Sequence, residues 1–188
     1  MGGYEMLVLA SASPRRRELL GHIGISFEVC VSAADENVAS GLSPEEIVEA
    51  LAVRIAEAVF ANRPEDIVIG ADTIVVLDGE ILGKPKDESE ARHMLHSLSG
   101  RKHWVYTGVA ILSEQKNESF VSATEVEFYP LDDEEIRNYV STGEPMDKAG
   151  SYGIQGYGYV LVKRIEGDFY TVVGLPIAEV ARRLRNYM

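Results

Sequence analysis

Cysteine is almost absent from this chain, since Cys30 is the one cysteine among 188 residues. One thiol excludes an intramolecular disulfide framework and any metal site built from several cysteines of one chain. A reducing compartment fits such a chain, so we expect a cytoplasmic protein. The N-terminal residues do not form the pattern of a signal peptide, and no apolar stretch approaches the roughly 18 residues that span a bilayer. We therefore expect no membrane partner.

Basic residues are also scarce, with 18 Lys and Arg against 30 Asp and Glu and a formal net charge of −12. This surplus of negative charge repels nucleic acid and anionic membranes unless a local basic patch overrides it. The sequence also has no series of aromatic residues beside basic ones, which a sequence-independent nucleic-acid binder would need. We expect no polymeric nucleic acid as a partner. A small anion such as a nucleotide needs only a few convergent cations.

Two common nucleotide-binding signatures are missing. The glycine-rich stretch 153–158 does not have the G-x-G-x-x-G spacing of a dinucleotide-binding fold, and the chain contains no G-x-x-x-x-G-K-[ST] of a P-loop. Of the four histidines, His93 and His96 are three residues apart on one predicted helix, but no third ligand nearby completes a metal site. Any phosphate site in this chain is therefore of another kind.

Predicted strands and helices alternate along the chain without a repeat or a linker that would divide it. Hydrophobic periodicity and turn residues predict strands over 7–10, 27–31, 67–77, 80–82, 104–112, 119–129, 159–164 and 170–173. Capping residues and apolar stripes predict helices over 14–21, 44–62, 88–98 and 132–140, and a terminal helix from about 176. The mixture of βα units and hairpins indicates a mixed α/β sheet in one domain, residues 1–188.

Arg15, Arg16 and Arg17 occupy the predicted first turn of the first helix. Positive charge at that end opposes the helix dipole, so the arrangement is locally unfavourable. It becomes favourable if an anion binds there, where free backbone N–H groups, the Ser11 and Ser13 hydroxyls and the guanidinium groups converge. The alternative is a solvated basic cluster that pairs with surface carboxylates. Both interpretations stay open at this point.

Asp72 interrupts the otherwise apolar run 67–77. A buried carboxylate without a partner is strongly unfavourable, so something must compensate its charge. A divalent metal would do so, as would an ion pair with a lysine such as Lys84 or a hydrogen bond at the end of the strand. Asp35 and Glu36 fall in a polar loop, where acidic residues usually face water.

Six short blocks follow one another along the chain: LVLASASPRRRELL (7–20), GADT (70–73), GKP (83–85), GEP (143–145), DKAGSYGIQG (147–156) and VGLP (173–176). In this order they resemble the Maf family of nucleotide pyrophosphatases, over nearly the whole chain. The resemblance implies an α/β fold akin to the inosine triphosphate pyrophosphatases, with a mixed twisted sheet, flanking helices and a central cleft. It also implies an enzyme that hydrolyses a nucleoside triphosphate to the monophosphate and pyrophosphate.

The resemblance also implies roles for particular residues. The residues that match those holding the triphosphate are Ser11, Ser13, Arg15, Arg16, Lys84 and Lys148. Glu36 and Asp72 match an acidic pair that binds a divalent cation, Mg²⁺ or Mn²⁺, and activates water. We assign Asp72 as the general base and count Lys84 with this pair as catalytic. Such chemistry needs charge neutralisation and in-line positioning more than covalent catalysis.

Two further residues indicate which base is bound. The local sequences around Thr73 and Gln155 resemble the branch of the family that acts on dTTP, UTP and modified pyrimidine triphosphates, rather than the branch that prefers 7-methyl-GTP. A threonine hydroxyl and a glutamine amide together satisfy the carbonyl and imide N–H edge of uracil or thymine. Other bases would leave these polar groups unpaired.

One position departs from the family pattern. Many relatives have a lysine where we align Ile55, and the nearest cation, Arg54, points about 100° away around a helix. A homodimer is expected by analogy with relatives. The alternative function is a nucleotide-binding regulatory module linked to cell division, because the family name derives from septum formation.

Overall fold

A computed structural model describes residues 6–31, 33–34 and 41–187. Within these residues the strands are β1 (Leu7–Leu9), β2 (Phe27–Val29), β3 (Ile67–Leu77), β4 (Glu80–Leu82), β5 (Lys102–Leu112), β6 (Asn117–Phe128) and β7 (Val162–Glu166). The α-helices are α1 (Pro14–Gly21), α2 (Pro44–Phe60), α3 (Glu88–Leu98), α4 (Asp133–Ser141), α5 (Phe169–Val173) and α6 (Ile177–Leu184). Short 3₁₀ helices cover Glu144–Asp147, Ala149–Ser151 and Gly156–Val160. None of the helices described here is long and apolar enough to cross a bilayer.

The strands form one mixed sheet in the order β2-β1-β3-β5-β6-β7, with β4 paired to β3. β1 is parallel to both β2 and β3, whereas the β3–β4 and β6–β7 pairs are antiparallel. β3 and β4 are joined by Asp78 and Gly79, with φ angles of 52° and 84°. Positive φ at both positions matches the twist of a tight hairpin. The expected mixed α/β sheet with flanking helices is confirmed.

The predicted N-caps of the first two helices are present. Ser13 Oγ accepts from the backbone N–H of Arg16 at 3.4 Å, and Pro14 takes the first helical position. Ser43 and Glu46 form a reciprocal capping box, with contacts of 3.2 and 2.8 Å. Because these bonds are made within a few residues, the helix starts follow from the local sequence.

The chain divides into two compact units. The first unit contains the described residues up to Asp72, Thr107–Ser122 and those from Gly174 onward. The second unit contains Thr73–Tyr106 and Ala123–Val173. The expectation of a single domain over 1–188 stays a prediction.

In the first unit, α2 packs very closely on the sheet. A Cβ atom at Gly70 would lie 2.5 Å from the carbonyl oxygen of Ala52, and one at Gly108 would meet the carbonyl of Val48. Glycine is therefore required at both positions for the backbones of helix and strand to approach each other. Small buried side chains, including Ala52, continue this contact around the two glycines. The tight packing fixes β3 two residues before Asp72.

In the second unit, α3 and α4 contribute to one apolar cluster with β3, β5 and β6. Its buried members include Leu95, Leu98, Phe128, Ile136, Val140 and Tyr152. This cluster lies beneath the segment that follows α4, which carries two of the predicted substrate-binding residues.

Two predicted strand assignments are wrong. Residues 170–173 lie in α5, because Asp168 Oδ2 accepts from the backbone N–H of Thr171 at 2.8 Å and from its Oγ1 at 3.0 Å. This N-cap outweighs the β propensity of the Tyr-Thr-Val-Val run. The strand predicted to begin at 159 begins only at Val162, because Gly156–Val160 forms a 3₁₀ helix.

Candidate active site

Ser11 and Ser13 shape the turn between β1 and α1. Ser11 is buried, and its Oγ accepts from the backbone N–H of Ser13 at 3.1 Å. Ser13 in turn caps α1. Both hydroxyls therefore lie where β1 ends and α1 begins, beside the parallel neighbour β3. In open α/β sheets, ligands bind at the carboxyl ends of strands, and helix N-termini attract anions.

Arg16 is half-buried and held by fixed contacts. Its Nε donates to the carbonyl of Gly174 at 2.8 Å, and its Nη1 lies 3.5 Å from Ser11 Oγ. The pKa of Arg16 lies below its ordinary value, mainly because burial disfavours the charged form. The negative charge of Asp72 partly offsets this effect, and the positive charge of Arg15 adds to it. A guanidinium stays protonated at neutral pH, so Arg16 is a partly desolvated cation. The negative charge of Asp72 therefore acts on Arg16 within the first unit.

The other two arginines of the cluster differ in exposure. Arg15 is half-buried, like Arg16, whereas Arg17 is exposed. The side chains therefore do not form one uniformly solvated cluster. Arg15 and Arg16 remain the predicted phosphate ligands, and Arg17 serves as a comparison on the same helical turn.

Asp72 lies in β3 and is half-buried. Its strand is fixed by pairing of Leu9 with Ile69 and by a bond of 2.8 Å from the Ala10 N–H to the Ile69 carbonyl. Within the first unit, Arg16 is one of the charges that act on Asp72. The sequence did not decide which group compensates the charge of Asp72. In the structure, the cation Arg16 is one such group.

The predicted partner of Asp72 in the acidic pair, Glu36, lies outside the described residues, as does Asp35. Among residues 6–31, 33–34 and 41–187, no group of three or more His, Cys, Asp or Glu side chains is arranged to hold a metal ion. Mg²⁺ is usually bound through one or two carboxylates together with substrate phosphates and waters. The carboxylate of Asp72 fits that pattern. His93 and His96 are both exposed on α3, as expected for solvated side chains.

In the second unit, two lysine-bearing segments are joined. The carbonyl of Gly83, next to Lys84, accepts from the backbone N–H of Gly150 at 3.1 Å. Lys84 itself is exposed. Gly150 lies two residues after Lys148, so one backbone hydrogen bond connects the segments that carry the two predicted triphosphate ligands.

Lys148 is folded back onto its own segment. Its Nζ donates to the carbonyl of Glu144 at 2.6 Å and to Asp147 Oδ1 at 2.7 Å. The Lys148 stem covers Gly153, where a Cβ atom would lie 2.8 Å from Lys148 Cε. The Lys148 side chain is largely buried, whereas the Asp147 carboxylate is largely exposed.

Thr73 is half-buried in β3, directly after Asp72. Gly150 packs on Val75, since a Cβ atom at Gly150 would lie 2.9 Å from Val75 Cγ1. Side chains two residues apart share one face of a strand, so Thr73 and Val75 point the same way. The segment that carries Lys148 and Gln155 therefore packs on the face of β3 that displays Thr73.

Gln155 is exposed, but its neighbours are fixed by side chains to which sequence analysis gave no role. Glu144 Oε1 accepts from Tyr139 OH at 2.9 Å and from the Gly158 N–H at 3.0 Å. Glu144 Oε2 accepts from the Tyr157 N–H at 2.8 Å. The GEP block was the one signal of Glu144 in the sequence, and its hydrogen-bond partners are visible only in the fold.

A buried histidine supports the start of the same segment. His103 Nε2 lies 2.7 Å from Tyr152 OH, and the rings of His103, Phe128 and Tyr152 meet edge to face. Burial lowers the pKa of His103 to about 4. His103 is therefore neutral at physiological pH and anchors Tyr152, three residues before Gln155.

Ile55, which stands where many relatives have a lysine, and its neighbour Arg54 have different surroundings. Ile55 packs against the apolar cluster of the first unit. Arg54 lines a shallow groove beside α2 together with Glu46, Glu49 and Glu57. The three carboxylates of this groove place negative charge around Arg54.

Comparison with known proteins identifies the fold and then the family of this chain. The structure of the Staphylococcus aureus Ham1 protein matches with a TM-score of 0.52 over 84% of this chain and 80% of that chain, at 16% identity. The fold is therefore Ham1-like, as expected from the sequence. The chain belongs to the Maf family, because the Maf-like protein family matches residues 6–187.

Relatives within the family are similar over almost their full length. A protein of Bacillus velezensis is 53% identical over 181 residues, which are 96% of both chains. A protein of Bacillus cytotoxicus is 54% identical over 180 residues, 96% of this chain and 94% of the relative. Both relatives are named dTTP/UTP pyrophosphatase.

Proposed function

We propose that this chain is a nucleoside triphosphate pyrophosphatase that hydrolyses dTTP and UTP to the nucleoside monophosphate and pyrophosphate. The observation that carries this function is identity of 53% to a protein named dTTP/UTP pyrophosphatase over 96% of both chains. The match covers nearly the whole length of that relative. Modified pyrimidine nucleotides with the same base edge are further expected substrates.

The reaction consumes one water molecule. The water oxygen bonds to a phosphorus atom, the bond between the α and β phosphates breaks, and pyrophosphate leaves. Asp72 accepts the proton of the attacking water, since its carboxylate lies at the strand that adjoins the Ser11–Ser13 turn. The positive charge of Arg16 offsets charge that develops on the phosphates and acts on Asp72 at the same time.

The phosphates need convergent donors. Ser11, Ser13, Arg15 and Arg16 would supply hydroxyls and guanidinium groups at the start of α1, and the family match adds the ammonium groups of Lys84 and Lys148. The joined lysine segments and the capped α1 turn are the structural features that support this set. Lys148 would exchange its exposed partner Asp147 for a phosphate oxygen.

We further propose that Asp72, with Glu36, holds a divalent cation, Mg²⁺ or Mn²⁺. A cation held by this pair would supply positive charge that offsets the charge of the phosphates. The carboxylate chemistry of the pair suits such a hard cation. We place the enzyme in the cytoplasm, where its nucleotide substrates are formed, and expect a homodimer.

Base selection is proposed for Thr73 and Gln155. Packing of the Gln155-bearing segment on the Thr73 face of β3 supports a shared role. A hydroxyl and an amide match the carbonyl and imide N–H edge that uracil and thymine share. Cytosine presents an amino group and a bare ring nitrogen there and would leave donors or acceptors unpaired.

The direct test is to incubate the protein with a panel of nucleoside triphosphates and Mg²⁺ or Mn²⁺ and to separate pyrophosphate from orthophosphate. We expect pyrophosphate and monophosphate from dTTP and UTP, and no product after chelation of the metal. Asp72→Asn should reduce kcat by at least the roughly 100-fold typical of losing a general base.

Asp78→Asn is the matched control for Asp72→Asn, because Asp78 is an exposed turn residue whose positive φ asparagine adopts readily. It should retain nearly full activity. Near-normal turnover of Asp72→Asn would contradict the assignment of the base. Binding of dTTP or UTP without any turnover would instead favour the nucleotide-binding regulatory alternative.

A further inference from the structure

The loop that carries Gln155 is held by a carboxylate in addition to apolar packing. Glu144 collects three hydrogen bonds, from Tyr139 OH and from the backbone N–H groups of Tyr157 and Gly158. Its two backbone donors come from residues 13 and 14 positions away along the chain. A carboxylate that accepts several N–H groups fixes the path of the backbone around it, as a bound anion does.

The backbone passes directly over this carboxylate at Gly156. The φ angle of Gly156 is +65°, and a Cβ atom there would displace the Glu144 carboxylate from its present position. The positive φ therefore favours glycine, and glycine leaves the carboxylate in place. The turn immediately after Gln155 is formed against Glu144 itself.

The other side of Gln155 is tied to the same carboxylate through one intermediate. The hydroxyl of Tyr139 donates to Glu144 Oε1 and accepts from the backbone N–H of Gly153 at 3.1 Å. Desolvation raises the pKa of Tyr139, so the phenol stays protonated and can fill both roles. Gln155 therefore lies between two anchored stretches of backbone, Gly153 before it and Tyr157–Gly158 after it.

We propose that Glu144 is a positioning residue for base recognition, because its carboxylate fixes the backbone on both sides of Gln155 and so holds the Gln155 amide in place. This role rests on the proposed function, in which Gln155 reads the base. Glu144 touches no reacting atom in this proposal. It acts on the choice of base and on substrate affinity, not on the hydrolytic step.

Only a carboxylate suits all three donors. In Glu144→Gln, one oxygen is replaced by an NH₂ group, which would face a backbone N–H or the tyrosine hydroxyl as donor against donor. One anchor is then lost while the side-chain volume stays nearly the same. The Lys148 contact is to the backbone carbonyl of Glu144, so this substitution leaves that contact in place.

The experiment compares Glu144→Gln with wild type in three steady-state measurements. We expect KM for UTP to rise about tenfold and the kcat/KM preference for UTP over CTP to fall about tenfold, while kcat for UTP stays within about threefold. Inorganic tripolyphosphate serves as a probe without a base, and its inhibition constant should stay within about twofold. Glu144→Asp, which keeps the charge on a shorter stem, should recover part of the preference.

A double-mutant cycle with Gln155→Ala tests whether Glu144 acts through Gln155. In that background, Glu144→Gln should change the UTP over CTP preference by less than about twofold, because the positioned amide is already gone. Glu135→Gln is the matched control, since Glu135 also accepts a backbone N–H in the second unit, at the start of α4. It should leave the preference unchanged.

Several outcomes would overturn the role of Glu144. Equal losses in kcat, UTP affinity and tripolyphosphate affinity would indicate a general structural residue, and an unchanged UTP preference would indicate no role. If Glu144→Gln does not fold, Tyr139→Phe is the second variant, because it removes the hydroxyl that joins Glu144 to Gly153 and leaves the Tyr157 and Gly158 contacts of Glu144 in place. It must lower the preference by a smaller factor, and an unchanged preference there refutes the proposal. A wild type that does not prefer UTP over CTP would overturn the base assignment as well, whereas a preference that survives Glu144→Gln overturns the role of Glu144 alone.

Discussion

Arg16→Ala removes a cation that contacts Ser11 and Gly174 and feels the charge of Asp72. The guanidinium is half-buried, and burial is the main cause that lowers its pKa. In such partly desolvated surroundings a hydrogen bond to a charged group contributes about 1.5–3 kcal/mol, against about 0–1 kcal/mol for an exposed ion pair. Loss of a phosphate contact at Arg16 should therefore lower kcat/KM for UTP roughly 10- to 150-fold.

Arg17→Ala is the matched control for this measurement. Arg17 is exposed in the same first turn of α1, so both substitutions remove one guanidinium from the same end of the helix. The helix dipole affects them equally, and only their burial and contacts differ. We expect Arg17→Ala to change kcat/KM by less than about threefold, the effect of losing an exposed charge.

The assay combines steady-state kinetics with urea unfolding of both variants. Unfolding is needed because Arg16 Nε also donates to the Gly174 carbonyl at 2.8 Å, and loss of that bond should cost about 1 kcal/mol of stability. A folded Arg16→Ala protein with kcat/KM within about twofold of wild type would refute the phosphate assignment. An equal loss in Arg17→Ala would show that the whole basic cluster acts through long-range charge.

The remaining predictions concern the base and the buried histidine. Gln155→Glu removes the amide donor and adds a charge, so hydrolysis of UTP and dTTP should fall far more than activity on other bases, by up to about 10⁴-fold in a closed pocket; equal losses on every nucleotide in a substrate panel would assign Gln155 to the phosphates or the fold. His103 is neutral in the folded protein with a pKa lowered from 6.5 to about 4, so its contribution to stability is present above pH 6.5 and is lost as pH falls toward 4. Urea unfolding should show a loss of about 2 kcal/mol between pH 7.5 and 5 that is absent from His103→Gln, and parallel pH profiles of the two proteins would contradict this.

Local sequence signals predicted most of the elements that carry the site. The bounds of β3 follow from a continuous β-prone run that ends at the Asp78-Gly79 turn, and α1 and α2 begin at capping residues that need no distant partner. The segment 170–173 was assigned wrongly because its side chains favour strands, while the deciding cap, Asp168, precedes them. In this segment the helix cap at Asp168 outweighed the β propensity of the side chains.

Non-local contacts were the part that the sequence did not predict. The family match separated Arg16 from Arg17, but the burial of Arg16 and its bond to the carbonyl of Gly174, 158 positions away, were visible only in the fold. Glu144 carries a hydrogen-bond network whose donors are brought to it by the glycine turn at Gly156. Such contacts depend on how distant segments fold together, so residue type and spacing alone did not assign them.

The chain passes between the two compact units at four peptide bonds, and the first of these joins Asp72 to Thr73. The proposed proton acceptor and the first residue proposed to read the base are therefore neighbours in β3, yet their side chains leave the strand on opposite sides. Because of this arrangement, substitutions on the Thr73 face of β3 can accumulate without changing the face that carries Asp72. On the proposed assignment, a descendant with a different nucleotide preference needs new side chains on the Thr73 face and at Gln155, while the turn between β1 and α1 that is proposed to bind phosphate is inherited unchanged.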